Sequence, residues 1–322
     1  MSKLKISSCA FRHTHDIDPE ARVDASRLDE LANVCVARAT AALDRELPNY
    51  GELQRANISG LLRSMKSTHE AIRKLLKPGD ADPTTVDALA LARVQLEALY
   101  AICFMLEDPA HVDQWLRDGW KKSYIRFLLQ KEGCGKLTRF DDYLKNHAPK
   151  WLTALQQLFC ITDAERLTVE HEELGTPLPL GVQPKKIESF PTPSKIIGEL
   201  KDAERRKMLE RLYPEYRQLS SFIHGLPHSN LFRGMFDSRS VYRNLFPEAQ
   251  LKDTWQREVA EASLVPSYLS VVQASGEVIA LYPEDINLRA SVMRGMRYLA
   301  DDVLLGKAIW QIRTRRLLGA LS

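Results

Sequence analysis

The chain has 322 residues, of which 44% are hydrophobic and 27% are charged, so it contains enough apolar material for a sizeable core. A net charge of only +3 does not mark a nucleic-acid-binding protein, and any basic surface has to be local. The five cysteines are widely spaced, odd in number and include no Cys-x-x-Cys pair. This pattern argues against a disulfide framework and predicts reduced thiols in a cytoplasmic protein.

Residues 1–22 are expected to form a weakly ordered N-terminus. They contain no apolar core long enough for a signal peptide, and the longest uncharged apolar run, 98–106, is too short to cross a bilayer. No membrane contact is therefore expected. The segment carries four potential metal ligands, Cys9, His13, His15 and Asp16. They lack the strand context and the remote ligands of a hydrolase metal site, so we expect no metal and no other cofactor.

Helical periodicity predicts an all-α protein whose N-terminal helical region covers residues 23–174. Within this region, residues 83–107 are apolar on nearly every face, which is typical of a helix buried in a core. Arg93 and Glu97 on this helix have the i,i+4 spacing that allows an ion pair. Two interpretations stay open: a structural pair at one end of the core, or the polar lining of a site.

Five prolines between residues 175 and 193 predict an exposed, extended loop or linker and a candidate domain boundary. A C-terminal helical region, 194–322, follows this Pro-rich loop. It is expected to contain a turn near Tyr213 and Pro214, a long helix over about 247–281, and one last helix that is basic towards its end. An alternative is that 194–322 and 23–174 together form one composite helical domain.

The segment 213–228 carries the strongest candidate for a functional motif, because it places Arg217 and His224 seven residues apart. On an α-helix this spacing puts both side chains on one face, about 10 Å apart along the axis. A fixed cation beside a group that titrates near neutral pH can address a single phosphate. Gly225 and Pro227 are expected to end the helix just after His224.

An Arg followed by a His at similar spacing also occurs in two other segments, which end at His69 and His171. Both histidines lie in helices dense with charged residues, where a histidine is usually solvated. The Arg217 segment is instead apolar and aromatic and ends at a helix stop, which favours it as a site at an edge of the structure. The alternative role for His224 is that of a cation near a helix C-terminus, where it interacts well with the dipole.

The sequence YRQLSSFIHG, which contains this pair, resembles the C-terminal motif of HEPN-type helical proteins, in which an Arg is followed after four to six residues by a His. Some HEPN-like families also share a tyrosine, a serine pair and a glycine around the motif. The corresponding residues of this chain are Tyr216, Ser220, Ser221 and Gly225.

The resemblance extends to the predicted buried helix, where those families tend to carry an Arg and a Glu that match Arg93 and Glu97. It covers roughly residues 84–230. Active members often have Asn, Asp or His directly after the motif Arg, whereas this chain has Gln218. That departure bears on catalysis more than on the fold.

The resemblance implies a HEPN-like multi-helix bundle with additional C-terminal helices. It also implies a metal-independent endoribonuclease that acts as a toxin or antiviral effector and works as a homodimer on RNA. Arg217 and His224 would be its catalytic residues, with Arg93, Glu97, Tyr216, Ser220 and Ser221 in support. His224 would transfer a proton and Arg217 would neutralise charge on the phosphoryl oxygens.

A non-catalytic helical module that binds a protein or nucleic-acid partner is the alternative function. It is favoured by the nearly 100 residues that follow the motif, because a minimal catalytic unit does not need them. A cognate protein partner fits either function. A basic, amphipathic C-terminus that touches membranes is the least favoured of the three interpretations.

Overall fold

The computed structural model describes residues 25–47, 49–76, 86–133, 143–223, 248–279, 281–300 and 303–319. These residues are predominantly α-helical and contain no strand, which confirms the predicted all-α class. A short π-helical turn spans Tyr143–His147. In chain order the α-helices are α1 (Ala25–Leu43), α2 (Glu52–Leu75), α3 (Asp87–Met105), α4 (Pro109–Gly133), α5 (Ala148–Leu158), α6 (Asp163–Leu174), α7 (Pro193–Glu199), α8 (Ala203–Ile223), α9 (Glu248–Ile279), α10 (Ile286–Ala300) and α11 (Leu304–Gly319).

Contacts within the chain divide it into two units. The first, unit 1, comprises residues 1–107 and 193–322, and the second, unit 2, comprises residues 108–192. Unit 1 thus combines helices from both expected regions. Unit 2 contains the remainder of the N-terminal region, 108–174, together with most of the Pro-rich loop.

The core of unit 1 is built around α3 and α9, which pack against each other. Helix α9 also packs against α1, α2 and α10, and α3 also packs against α2 and α8. The predicted burial of α3 is confirmed, because Leu89, Leu96 and Leu99 are completely buried. Of the described helices, α3 alone has the length and hydropathy to cross a membrane, but most of it is buried inside the protein.

Helix α9 confirms the long helix predicted over about 247–281, but the sequence did not reveal that it is a second central helix of the core. Every side chain from residue 262 to residue 279 is buried, although many of them are polar. Serine hydroxyls on this helix donate to the carbonyl oxygen four residues earlier, from Ser263 to Val259 at 2.7 Å and from Ser275 to Val271 at 2.9 Å. These bonds satisfy the hydroxyls inside the helix, so polar residues can occupy the core without other partners.

A buried charge cluster joins α8, α9 and α11. Glu277 on α9 is completely buried and accepts hydrogen bonds from Arg205 Nε at 2.6 Å and from Arg313. Arg313 also donates to Glu204 at 3.2 Å. Arg313 is one of the basic residues that the sequence placed towards the end of the last helix. Its charge is neutralised in the interior, because a buried guanidinium requires carboxylate partners.

The single last helix expected from the sequence is two helices, α10 and α11. A Cβ atom added at Gly306 would lie 2.5 Å from the carbonyl oxygen of Leu299, so only glycine permits this close approach of α11 to the end of α10. The turn expected near Tyr213 and Pro214 is also absent, since α8 runs through both residues. Pro214 is exposed, where water can bind the carbonyl that its missing N–H leaves unpaired.

Unit 2 packs α4 against α5 and α6 around Trp120, Ile161, Val169 and Ile187. The predicted Pro-rich loop occupies the stretch between α6 and α7, and much of it is exposed. Its middle is nevertheless anchored. The Ile187 side chain is buried, and the Lys185 amide donates to Thr168 Oγ1 at 2.9 Å. The segment is therefore a packed loop of unit 2 at this point.

Candidate functional site

Four of the residues singled out by the sequence meet between α3 and α8. The guanidinium of Arg93 donates through Nε to Ser220 Oγ at 3.0 Å and through an Nη atom to Tyr216 Oη at 3.1 Å. A second pair of contacts links it to Glu97, with a shortest distance of 2.8 Å. The predicted pairing of Arg93 with Glu97 is confirmed, and the pair reaches across to α8.

Tyr216 connects the two charges of this cluster. Its hydroxyl donates to Glu97 Oε1 at 3.1 Å while it accepts from Arg93. Burial and the neighbouring Glu97 carboxylate raise the pKa of Tyr216, and Arg93 opposes that shift. The phenol is therefore neutral and can serve as both donor and acceptor. Ser220 completes the network by donating to the Tyr216 carbonyl oxygen at 2.7 Å.

The cluster lies at the edge of the core, since the Arg93 side chain is 16% exposed and that of Glu97 is 37% exposed. The Arg93 guanidinium also lies over the Tyr216 ring, with its carbon 5.2 Å from the ring centroid. All three guanidinium nitrogens have partners, so Arg93 is suited to hold α8 in position on α3. It is poorly placed to receive an additional anion, because Glu97 already neutralises its charge.

Arg217 directly follows Tyr216 on α8, and its side chain is exposed. None of the residues that the structure describes forms an ion pair or hydrogen bond with it. His224, Gly225 and Pro227 lie outside the described residues, and Ser221 is described only as helical backbone. The structure thus brings together Arg93, Glu97, Tyr216 and Ser220, with Arg217 exposed beside them.

His69, which was expected to be solvated, is 1% exposed, and that expectation was wrong. Its Nδ1 atom lies 2.9 Å from Ser267 Oγ on α9, and its Nε2 atom lies 3.3 Å from Asp29 Oδ1 on α1. The sequence did contain a signal for this burial, because Met65, His69 and Ile72 fall on the same apolar face of α2. Ser267 is completely buried, so this Ser-His-Asp arrangement lacks the access that a catalytic serine needs.

His171 is exposed, as expected, and its Nδ1 lies 2.8 Å from the Thr176 carbonyl oxygen. Arg166, which precedes His171 at a spacing similar to that of Arg217 and His224, forms an ion pair with Glu170. Within the described part of the chain, no three or more His, Cys, Asp or Glu residues are grouped so as to hold a metal ion. The candidate ligands Cys9, His13, His15 and Asp16 lie outside that part.

Comparisons with known proteins give no match: no protein-family model, no curated protein and no solved structure is significantly similar to this chain.

Proposed function

We propose that this protein is a HEPN-like, metal-independent endoribonuclease that cleaves RNA through Arg217 and His224. The observation that carries the proposal is the hydrogen-bonded cluster of Arg93, Glu97, Tyr216 and Ser220. These are positions at which the chain resembles HEPN proteins. Their mutual contacts hold the α8 segment that presents Arg217 to solvent.

The chemistry follows from the two residue types. The 2′-oxygen of one ribose attacks the adjacent phosphorus, and the bond from phosphorus to the 5′-oxygen of the next nucleotide breaks. A base removes the 2′-OH proton, and an acid protonates the departing 5′-oxygen, so no external co-reactant is required. Arg217 would neutralise the charge that develops on the phosphoryl oxygens, because a guanidinium pairs well with them.

One copy of the motif supplies one histidine, whereas the reaction uses a base and an acid. A C2 homodimer would place His224 and Arg217 from both subunits around one phosphate. Sedimentation of the full chain should then show a dimer. A role as a toxin or antiviral effector in the cytoplasm rests on the HEPN resemblance alone and belongs to the same proposal, as does a cognate protein partner.

The experiment compares cleavage of a labelled single-stranded RNA by the full chain and by three variants. His224→Ala should lower the rate by about 10²–10⁴, since it removes proton transfer. Arg217→Ala should lower it by about 10²–10³, since it removes charge stabilisation. His171→Ala is the matched control and should leave the rate unchanged, because His171 is exposed in unit 2. His69 is unsuitable as a control because it is buried.

Full activity in His224→Ala would defeat the catalytic proposal and leave a helical module that binds a protein or nucleic-acid partner as the better account. Equal losses in all three variants, accompanied by lower melting temperatures, would show that destabilisation and not chemistry caused the loss.

A further inference from the structure

Unit 2 contains a pocket of about 630 Å³ that the proposed ribonuclease site does not use. It is lined by residues of α4, α5 and α6 and of the short connection before α6. This volume falls in the range of about 300–1,000 Å³ that is usual for small-molecule sites. Half of the lining residues are polar or charged, so an acyl chain would leave polar groups without partners.

One wall of the pocket is a row of aromatic rings on α4. The Trp120 and Tyr124 rings are stacked with centroids 4.8 Å apart, and the Phe127 ring follows 6.1 Å from Tyr124 at an angle of 25°. Trp120 donates through Nε1 to the Leu152 carbonyl oxygen at 3.0 Å, and the Tyr124 hydroxyl donates to Glu170. Their polar atoms are thus held by the protein, and half-buried Tyr124 and Phe127 offer apolar ring surface.

The guanidinium that lines the pocket, that of Arg166, is already paired with carboxylates. Arg166 binds Glu170, and its Nε atom lies 3.6 Å from Asp163 Oδ1. Burial, together with the hydrogen bond to Glu170, raises the pKa of Tyr124 to about 12, so this wall is neutral at physiological pH. Two carboxylates around one guanidinium disfavour an anionic ligand.

Uncharged polar groups on α5 also line the pocket. Thr153 and Gln157 both line the pocket and are both exposed. A glutamine amide offers a donor and an acceptor in one plane, which is the pattern that the edge of a nucleobase requires. Aromatic side chains and an amide group that line one pocket are the combination that proteins use to hold and hydrogen-bond unpaired bases.

We propose that this pocket binds one uncharged nucleobase, which packs against Tyr124 and Phe127 and hydrogen-bonds to Gln157. The site does not rest on the ribonuclease proposal, since it involves none of the residues of that site. The base can come from a free nucleoside or from single-stranded RNA, and the experiment distinguishes these two sources.

The test is calorimetric titration of the full chain with adenosine, cytidine and uridine, with their 5′-monophosphates, and with a short single-stranded oligonucleotide. To prevent turnover, the titrations use His224→Ala as the background. We expect the nucleoside to bind at least as tightly as its monophosphate. An oligonucleotide that binds more tightly than every nucleoside would identify single-stranded RNA as the source of the base, and the reverse order of affinities would identify a free nucleoside.

Gln157→Ala should weaken binding about fivefold through the loss of one hydrogen bond, and Phe127→Ala about tenfold through the loss of ring contact. Gln130→Ala is the matched control, because Gln130 is an exposed glutamine on α4 that does not line the pocket. Gln157 is exposed, so its replacement should not unfold unit 2. The proposal is overturned by the absence of binding at millimolar concentration, by equal weakening in Gln130→Ala, or by a monophosphate that binds more than tenfold tighter than its nucleoside.

Discussion

The guanidinium of Arg93 on α3 lies 3.1 Å from the hydroxyl oxygen of Tyr216 on α8, although 123 residues separate them in the chain. The same hydroxyl donates to Glu97, so one phenol joins both members of an ion pair to a second helix. This contact turns a local i,i+4 pair into a tertiary link that fixes the direction in which the following residue, Arg217, leaves the helix.

Removal of that hydroxyl should loosen the link between α3 and α8. We expect Tyr216→Phe to lower the free energy of unfolding by about 1–2 kcal/mol, since the hydroxyl bonds to two charged groups. Tyr213→Phe is the control, because none of the described residues forms a hydrogen bond with the Tyr213 hydroxyl, and it should cost less than about 0.5 kcal/mol. The free energy of unfolding of each variant is measured by urea denaturation monitored by circular dichroism. Equal costs would mean that the hydroxyl network adds no stability.

The buried cluster around Glu277 predicts a much larger effect. Glu277→Ala would leave Arg205 and Arg313 in the interior without their shared carboxylate, so it should cost about 3–5 kcal/mol or prevent folding. Glu284→Ala is the matched control, because that side chain is 66% exposed and its ion pair with Arg45 is long, at 3.9 Å. Thermal unfolding of the wild type and of both variants measures the loss of stability that each substitution causes. A cost below about 1 kcal/mol for Glu277→Ala would indicate that water reaches the cluster.

Glu165 in unit 2 predicts a dependence of stability on pH. Burial alone would raise its pKa, but hydrogen bonds from Thr162 and the charge of Arg117 outweigh that effect and hold the pKa below its usual value of 4.5. The ionised carboxylate therefore adds stability above pH 4.5, and this contribution is lost as the pH falls through the lowered pKa. Glu165→Gln should destabilise the chain at pH 7, and the difference from the wild type should shrink as the pH falls below 4.5, as measured by chemical unfolding at each pH. A pH-independent difference would contradict the assignment.

The anchored Pro-rich loop predicts where a protease cuts. Thermolysin should cleave first near Leu180, which is completely exposed and followed by Gly181 in a left-handed conformation with φ of 87°. Ile187→Ala should release the anchored part and accelerate cleavage by trypsin after Lys185 or Lys186. Val182, which is only half-buried, gives the control variant Val182→Ala. Similar trypsin rates in the wild type and both variants would mean that Ile187 does not hold the loop.

The sequence predicted those features that depend on local pattern. Residues 87–105 are apolar on nearly every face, which predicted their burial, and the spacing of Arg93 and Glu97 predicted that they can pair. It could not reveal that Ser220 and Tyr216 complete the same cluster by contact, because that depends on how α8 crosses α3. Only the HEPN resemblance connected these positions beforehand.

Burial of polar residues was the feature that sequence reasoning missed most often. The sequence predicted the long helix α9 but not the burial of its serines and of Glu277. Their burial depends on back-bonding to the helix and on arginines from α8 and α11, which are distant in the chain. His69 was missed although Met65 and Ile72 mark its face of α2 as apolar, and only its partners Asp29 and Ser267, which belong to other helices, could not be predicted.

The chemical identity of the cleaved RNA ends tests whether Arg217 and His224 assist an attack by the ribose 2′-hydroxyl. The full chain is incubated with single-stranded RNA in excess EDTA, and the product ends are identified by mass spectrometry. We expect a 2′,3′-cyclic phosphate and a 5′-hydroxyl, formed at the same rate as without EDTA. Neither product end should form with Arg217→Ala or His224→Ala. Cleavage that EDTA abolishes, or that leaves a 5′-phosphate, would contradict an attack by the 2′-hydroxyl that Arg217 and His224 assist.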